Sequence, residues 1–295
     1  MAMSIRTNMA ALSSINTLGR TQGNLSNSLE RISSGLRINR AADDAAGLGV
    51  ATRMEADNTS LQQAMRNTND GISMIQTAEG SLEQLTNIMT RVRELTVQSA
   101  NETYSSSDRT MISTEMTQLK NEFERITATS EFNEQNLLNA TAGTSNNTIT
   151  IHVGMDGSSN DRIQFTLTSF STDSTQITAL ASVFAAITAA AAGSTTAGLN
   201  QASAAAANLG NIDTIITALS TRRATIGALQ NRFENALAEA STLSQNLSAS
   251  QSQILDVDYA SESANMTRFQ IQQQAGVAAL AQAKAMPQSI ISLLN

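Results

Sequence analysis

The sequence predicts a mainly α-helical protein in which long helices at both ends of the chain enclose a more compact middle. Three features support this: apolar residues recur at helical spacing through most of the 295 residues, aromatic residues make up only 3%, and only one stretch alternates apolar with polar residues. Few aromatics suit thin layers of packed helices. We expect long terminal helices that can pair with each other as a coiled coil, a helical core with one β-hairpin, and a small insertion.

The composition excludes several classes of function. A net charge of −7 argues against nucleic acid as a partner. The chain has no cysteine and a single histidine, His152, which removes thiol catalysis, Cys-based zinc sites and most histidine acid–base chemistry. No apolar run has the length of a signal peptide or a membrane span. We therefore predict no cofactor, no metal ion and no membrane association, and export without an ordinary cleaved signal if the chain leaves the cell.

Residues 1–44 predict a long amphipathic helix followed by a break. Two apolar sets lie on roughly opposite sides of that helix at about 100° per residue, so its apolar stripe wraps around it and needs more than one partner. The alternative is a helix inside an ordinary bundle. The first set is Ile5, Met9 and Leu12; the second is the heptad seam Ile15, Leu18, Leu25, Leu29, Ile32 and Leu36.

The break after this helix reads "RINRAADDAAGLG". Asp43 or Asp44 can cap the helix that follows, because a carboxylate accepts the free backbone N–H groups of a helix start. Arg31, Arg37 and Arg40 can pair with carboxylates on neighbouring copies. The alternative is a plain connector between two helices of a monomer.

Residues 45–170 predict core helices and one hairpin. Near-heptad spacing continues to about residue 100, with Gly71 as a tolerated weak point. Ser105 to Asp108 forms a capping-box pattern that begins a further helix, whose apolar face is Ile112, Met116, Leu119, Phe123 and Ile126. The hairpin has one apolar face, made of Ile149, Ile151, Val153, Ile163, Phe165 and Leu167, with His152 facing solvent.

The last third returns to long helices. Residues 171–206, rich in Ala, Ser and Thr, are compatible with a small subdomain, poor helices or a flexible insertion, and we expect them to be outermost and dispensable for assembly. Residues 207–255 predict a return core helix. Residues 256–295 predict a second terminal helix capped by Asp256 or Asp258, with Val277, Leu280 and Ile291 on one side and an apolar end that includes Leu294.

These patterns together favour self-association. A helix of about 40 residues is about 60 Å long, and two such helices pairing with each other leave part of each apolar stripe uncovered. Copies of the chain packed side by side would cover it, and head-to-tail contacts that do not close generate a helical filament.

Several long motifs resemble one family. Residues 1–140 resemble the N-terminal region of bacterial flagellins through "LERISSGLRINRAADDAAG", "RNTNDGISMIQTAEGSL" and "RVRELTVQSAN". Residues 207–295 are similar to the flagellin C-terminal region through "GALQNRFENAL", "DVDYASESANMTRFQIQQQAG" and "MPQSIISLLN". The resemblance implies a non-enzymatic subunit of the extracellular flagellar filament, exported unfolded by the flagellar type III route and used for swimming. It also implies that the helices of residues 1–44 and 256–295 form an inner coiled-coil layer, that the helical core is rod-like, and that the insertion at 171–206 is outermost.

The resemblance also implies partners and contact residues. The implied partners are further copies of the chain, a secretion chaperone at the C-terminal helix, and the filament cap and hook-junction proteins. The residues expected to contact other copies are Ile5, Met9, Leu12, Ile15, Leu18, Arg31, Arg37, Arg40, Asp43, Asp44, Val277, Leu280, Ile291 and Leu294.

A host receptor is implied in the same way. By resemblance, the Toll-like receptor that senses flagellin is expected to bind Arg91, Leu95, Gln98 and Glu115. The first three are spaced by four and three residues, which places them on one side of a helix. That side would offer a guanidinium, an apolar anchor and an amide together.

Two other interpretations compete with the filament subunit. A hook–filament junction protein or a type III tip protein also carries helices at both ends, but the "RVRELTVQSAN" and "MPQSIISLLN" motifs argue against both. An enzyme is disfavoured because the sequence has no nucleophile elbow, P-loop, GxGxxG context or HExxH motif.

Overall fold

The computed structural model describes residues 8–138, 147–167, 179, 181–187 and 202–294. Its helices are α1 (Met9–Ser34), α2 (Ala45–Ser99), α3 (Ser106–Thr129), α4 (181–187), α5 (Ala202–Leu255) and α6 (Tyr259–Leu294). Its strands are β1 (Glu131–Phe132), β2 (Gln135–Asn136), β3 (Asn147–His152) and β4 (Arg162–Leu167), with a 3-10 turn at Ser159–Asp161. The predicted mainly α fold class is confirmed. None of the helices in this described part combines the length and hydropathy needed to cross a membrane.

The chain forms two compact units. Unit 1 comprises Met1–Thr59 and Ser244–Asn295, and unit 2 comprises Ser60–Leu243. The unit boundaries fall inside α2 and α5. The boundaries predicted from the sequence nearest to them were 44/45, at the start of α2, and 255/256, at the end of α5. The start of α2 belongs with the end of α5 because Asn58 bonds two serines of α5: Ser244 donates to its side-chain oxygen, and its Nδ2 donates to Ser248 at 3.2 Å.

In unit 1 the two terminal helices pack along each other, as the fold prediction expected. Asn8 caps α1 through its side-chain oxygen and donates from Nδ2 to the carbonyl of Ala283 on α6, at 2.8 Å. Further along the pair, a Cβ added at Gly276 would lie 3.3 Å from Cδ1 of Leu18. The missing side chain at Gly276 therefore lets α6 approach α1 closely.

Unit 2 holds the main hydrophobic core, built from α2, α3, α4, α5 and the hairpin. The few aromatic residues are concentrated there. Phe123 meets Phe184 edge-on at 5.7 Å, and Phe165 meets Phe233 edge-on at 6.1 Å. Such edge-to-face pairs stabilise a core beyond their buried area.

Helix α4 corrects part of the interpretation of residues 171–206 as an outermost segment. Val183 and Ile187 are fully buried in the unit 2 core, and Asn211 donates to the hydroxyl of Ser182 at 2.9 Å. Lys120 lies 5.3 Å from the centre of the Phe184 ring, within cation–π range. These residues are thus structural, while 171–178, 180 and 188–201 lie outside the described residues.

The predicted hairpin is confirmed. β3 pairs antiparallel with β4, which sets Ile149 opposite Phe165 and Ile151 opposite Ile163. His152 is half-buried rather than fully solvent-facing, and its carbonyl accepts a hydrogen bond from Asn67. Gly71, interpreted from the sequence as a weak point, instead gives the hairpin room: a Cβ there would lie 3.3 Å from Cδ1 of Ile151.

A second, very short ladder joins β1 to β2 and was not predicted. Its two connecting residues, Asn133 and Glu134, have φ angles of 50° and 65°. Two successive positive φ values are what a tight type I′ hairpin requires, and glycine usually occupies the second position. Because Glu134 occupies that second position, the sequence lacks the glycine that usually indicates this turn.

Helix α3 begins with the capping box that the sequence predicted. The Asp108 amide donates to the Ser105 hydroxyl at 3.2 Å, and the Ser105 amide donates to the Asp108 carboxylate at 3.0 Å. The Ser105 hydroxyl also donates to that carboxylate at 2.7 Å. The bond from the Ser105 hydroxyl lowers the pKa of Asp108 most, and the bond from the Ser105 amide lowers it further. Burial raises this pKa, but by a smaller amount.

The capping box makes helix stability depend on pH in the acid range. Because the pKa of Asp108 is lower in the folded chain, its contribution is fully present above the ordinary carboxylate range and is lost as the pH falls through the folded pKa. We expect Asp108→Asn to be less stable than the parent at neutral pH, with the gap closing on acidification. Thermal unfolding from about pH 7 to pH 3 measures this. A gap that stays constant with pH would contradict it.

Candidate functional site: the assembly surface of unit 1

The connector between α1 and α2 pairs with the connector between α5 and α6. Gly35 ends α1 with a φ of 75°, and its amide donates to the carbonyl of Arg31 at 2.9 Å. Beyond it, the amide of Arg37 donates to the carbonyl of Leu255 at 2.6 Å, and the amide of Val257 donates to the carbonyl of Gly35 at 3.0 Å. We call this paired region, residues 35–44 with 254–258, the junction. It holds both helix connections of unit 1 together.

Arginines of the junction bind their own chain. Arg37 donates from Nε and Nη2 to the carbonyl of Ile254, at 3.2 and 2.8 Å, and so satisfies a carbonyl at the C-terminal end of α5. Arg40 forms a two-nitrogen ion pair with Glu30, with distances down to 2.7 Å. Two of the three arginines predicted to pair with neighbouring copies therefore already have partners here. The third, Arg31, is half-buried.

The aspartates of the junction are backbone acceptors. Asp44 caps α2, since its Oδ1 accepts the amide of Gly47 at 2.8 Å. Asp43 Oδ2 instead accepts the amides of Asn39 and Arg40, at 3.2 and 3.0 Å, and fixes the turn before the helix. Both carboxylates predicted to contact other copies thus have a role within the chain. At the other connector, Asp258 caps α6 by accepting the amides at positions 260 and 261.

Gly47 is required by this arrangement. A Cβ at that position would lie 2.9 Å from the Asp44 carboxyl carbon and 2.9 Å from Cδ1 of Ile38, which is itself buried. Any side chain would therefore displace the cap of α2 or the apolar contact beneath it. This accounts for the glycine at position 47 in "RAADDAAGLG".

Arg37 should matter more to the junction than Arg40. Arg37→Ala removes both donors from the Ile254 carbonyl, whereas Arg40→Ala removes an ion pair whose side chains are 68% and 36% exposed and which contributes at most about 1 kcal/mol. We expect faster amide hydrogen exchange at positions 37 and 257 in Arg37→Ala, with little change in Arg40→Ala. Equal effects of both variants would contradict this role.

Exposed apolar side chains are concentrated on unit 1. In the described residues, eleven large apolar side chains are exposed, and only Val97, Met111 and Met155 of these belong to unit 2. Met9 is 68% exposed, Ile271 61% and Val277 54%. Exposed large apolar side chains that are concentrated on one unit make that unit a candidate for contacts with a partner. The eight side chains on unit 1, here called the apolar surface, are Met9, Leu12, Ile15, Leu29, Val50, Tyr259, Ile271 and Val277.

The apolar residues among the predicted polymerisation contacts divide into three groups. Met9, Leu12, Ile15 and Val277 belong to the apolar surface. Leu18 and Leu280 are half-buried within unit 1. Ile5 and the side chains of Ile291 and Leu294 lie outside the described residues. Ile271 and Tyr259 were not predicted from the sequence, because Ile271 stands alone among glutamines in "FQIQQQ" and Tyr259 follows the Asp258 cap.

On unit 2, the predicted receptor residues are only partly brought together. Arg91 donates from Nε and Nη2 to Glu115, at 3.0 and 2.9 Å, and from Nη1 to Glu94 at 3.0 Å. These carboxylates, Glu94 first and then Glu115, raise the pKa of Arg91. Gln98 is exposed and donates to the hydroxyl of Tyr104 at 3.1 Å.

Leu95 does not belong to that exposed surface. It is 2% exposed and lies in the same core cluster as Ile112 and Met116 of α3. The prediction that it presents an apolar anchor to a partner is therefore wrong for the folded chain, because α3 packs over this side of α2. Receptor binding through Arg91, Gln98 and Glu115 stays a prediction.

Known proteins match this chain over its whole length. A family model for the bacterial flagellin N-terminal helical region matches residues 5–143, and one for the C-terminal helical region matches residues 209–294. A flagellin of Halalkalibacterium halodurans is 40% identical over 99% of this chain and 100% of the relative. The flagellar filament 33 kDa core protein of Treponema phagedenis is 38% identical with the same coverage.

The fold also matches a solved structure. A putative flagellar hook-associated protein from Vibrio parahaemolyticus superposes with a TM-score of 0.60 over 72% of this chain and all of its own, at 14% identity, which shows a shared fold alone. The full-length identities are to flagellins, and both terminal helical regions match in order. The chain therefore belongs to the bacterial flagellins, a family of structural proteins rather than enzymes.

Proposed function

We propose that this chain is the structural subunit of an extracellular flagellar filament, that it is exported unfolded by the flagellar type III route, and that the filament serves swimming. The observation that carries the proposal is the apolar surface of unit 1, where eight large side chains on α1, α2 and α6 face water. A folded chain that stayed monomeric would hold this area in water at a cost of about 25 cal/mol per Å².

Further copies of the same chain fit this surface. The apolar side chains occur on α1, α2 and α6, so one neighbour cannot cover all of them. Several neighbours arranged head to tail can, and such contacts produce an open helical assembly when they do not close. The family relationship to a filament core protein agrees with this arrangement.

Charge is distributed in a way that favours packing through unit 1. Unit 1 contains eight Lys or Arg and eight Asp or Glu, so its net charge is zero. Subtracting these from the totals of 18 and 25 leaves ten basic and 17 acidic residues in unit 2, a net charge of −7. Copies can therefore bring their unit 1 surfaces together without net Coulomb repulsion, while the charge of unit 2 favours solubility.

The other implied partners are proposals of the same kind. Ile271 and Val277 leave an apolar side of α6 in water, which supports a secretion chaperone that covers this helix before assembly. The filament cap and hook-junction proteins would meet the same surface at the filament ends. A host receptor would meet Arg91, Gln98 and Glu115, which are exposed.

Seeded polymerisation tests the proposal. Purified chain added to short filament fragments should elongate them into long filaments under the electron microscope, whereas a chain cut to residues 41–255 should remain helical by circular dichroism without elongating them. Short caps or closed oligomers from the full chain would instead favour a hook–filament junction protein. Elongation by the cut chain would show that the terminal helices are not the contacts.

Export and motility need a separate test. The chain should reach the medium from cells with an intact flagellar type III apparatus and remain inside cells in which that apparatus is inactivated. Cells lacking the chain should lose swimming and regain it on complementation. Secretion that is unaffected by the inactivation would overturn the proposed route.

A further inference from the structure

The same dipeptide, Asp–Gly, occurs twice in unit 2 in opposite surroundings: Asp70–Gly71 and Asp156–Gly157. Aspartate followed by glycine can cyclise, because glycine has no side chain to shield its amide nitrogen from the preceding side-chain carboxyl carbon. The reaction requires a backbone that lets that nitrogen reach that carbon. The two surroundings therefore decide which dipeptide reacts.

Asp156 and Gly157 lie in the connection between β3 and β4, and both are exposed. Within the described part of the chain, neither the Gly157 amide nor the Asp156 carboxylate takes part in a hydrogen bond. The residues on either side are held: the carbonyl of Asp161 accepts the amides of Val153 and Gly154, at 2.8 and 3.2 Å. Arg162 donates to the Gly157 carbonyl at 3.4 Å. The two reacting groups, the Gly157 amide and the Asp156 carboxylate, thus lie at an exposed tip whose base is held by hydrogen bonds.

Asp70 and Gly71 lie in the middle of α2. There the Gly71 amide donates along the helix, and the helical backbone holds it away from the Asp70 carboxyl carbon. Gly71 is also buried, with Ile151 and Phe233 3.3 to 3.4 Å from the position of an added Cβ. Asp70 itself is exposed, so access to water does not distinguish the two sites.

We propose that Asp156–Gly157 is a site of spontaneous isoaspartate formation and hence an acceptor for enzymatic carboxyl methylation. The Gly157 nitrogen attacks the side-chain carboxyl carbon of Asp156, forms an N–C bond and releases one water, which leaves a five-membered succinimide. Addition of one water to the main-chain carbonyl carbon then breaks its bond to nitrogen. The main chain now runs through the former side chain with one extra CH2, the mass is unchanged, and no oxidant or reductant is consumed.

The modification should leave the hairpin paired. The register from Ile149 opposite Phe165 to His152 opposite Arg162 lies outside the reacting tip. The bonds to Asp161 separate that ladder from Asp156. The isomer would therefore change the charge position and backbone length of an exposed tip while leaving the core of unit 2 in place. This inference does not depend on the proposed function.

Ageing the folded full-length chain tests the proposal. After several weeks at neutral pH and physiological temperature, peptides are separated and sequenced by electron-transfer fragmentation, which distinguishes isoaspartate from aspartate. In parallel, methyl transfer from labelled S-adenosylmethionine by L-isoaspartyl methyltransferase is counted. We expect at least about tenfold more isoaspartate at position 156 than at position 70, because only the former pair can reach the cyclising geometry.

Matched variants distinguish the effect of the folded backbone on isoaspartate formation from that of the Asp–Gly sequence itself. Asp156→Glu should remove the isomer at that position, since its cyclisation would require a six-membered ring, while Asp70→Glu should leave methyl incorporation unchanged. In urea, the unmodified sequence should form isoaspartate at both dipeptides to a similar extent. Equal amounts at both positions in the folded chain would overturn the proposal, and so would isomerisation of Asp156 that occurs only in urea.

Discussion

Replacing Ile271 or Val277 by glutamate is expected to abolish filament growth while leaving the monomer folded. Both side chains lie on α6 and are 61% and 54% exposed, so a charge there remains in water in the monomer and should change its stability by no more than about 0.5 kcal/mol. In the assembled state the same carboxylate would be buried against apolar neighbours without a partner. Burying an unpaired charge costs several kcal/mol, and every subunit would carry that cost.

The expected size of this effect makes it measurable as a critical concentration. A penalty of about 3 kcal/mol per subunit would raise the critical concentration by about two orders of magnitude, since each 1.4 kcal/mol is about tenfold. Sedimentation of seeded samples over a range of concentrations gives that value directly. Ile271→Leu, which keeps an apolar side chain of the same volume, should polymerise like the parent.

Met155→Glu is the matched control. Met155 is also an exposed apolar side chain, but it belongs to unit 2 and lies in the connection between β3 and β4. The same substitution there should leave the critical concentration close to that of the parent. If Ile271→Glu forms filaments at the critical concentration of the parent, the hypothesis that unit 1 is the assembly surface is wrong. It is also wrong if Met155→Glu raises the critical concentration as much as Ile271→Glu does.

Features encoded by local pattern were predictable from the sequence. The capping box at Ser105 joins residues only three positions apart, and the hairpin has strict alternation on both strands, so each could be found within a short window. The long helices follow from apolar spacing in the same way. Each of these elements depends on a few neighbouring residues.

Features that depend on distant parts of the chain were not predictable. Arg37 binds the carbonyl of Ile254, 217 residues away, and no local pattern indicates that partner. The prediction that Leu95 is an exposed anchor is wrong for a related reason. Helical spacing places Leu95 on one side of α2 beside Arg91, yet spacing does not tell which of the two side chains is covered. Arg91 is exposed and binds Glu115 of α3, whereas Leu95 is 2% exposed and lies in the core cluster.

Helix α4 shows how composition can hide a core element. Ala179, Val183 and Ile187 recur every four residues and are all buried, but they stand among Ala, Ser and Thr, so the interval resembles a surface insertion. The four-residue spacing of these three side chains was the only signal available. Its consequence for stability can be measured.

Ile187→Ala is expected to destabilise unit 2 by about 2–5 kcal/mol, the range for removing a fully buried branched side chain and leaving a cavity. Ile187 and Val183 are both 0% exposed and belong to the core cluster that contains Phe123. Urea unfolding followed by circular dichroism measures the change. Ala185→Ser, an exposed position of the same helix, should change stability by less than about 0.5 kcal/mol.

Because α4 belongs to the core, deletion of residues 171–206 should destabilise unit 2, whereas the sequence pattern predicted that these residues are dispensable. Removing residues 171–206 and bridging the gap with Gly and Ser also removes Val183, Ile187 and the Phe184 ring that meets Phe123. Because a domain is ordinarily stable by only about 5–15 kcal/mol, that loss should weaken unit 2 severely. Restoring residues 179–187 within the bridge should recover most of the stability. If the full deletion unfolds at the same urea concentration as the parent, the buried side chains of α4 contribute nothing and the interval is an outer insertion throughout.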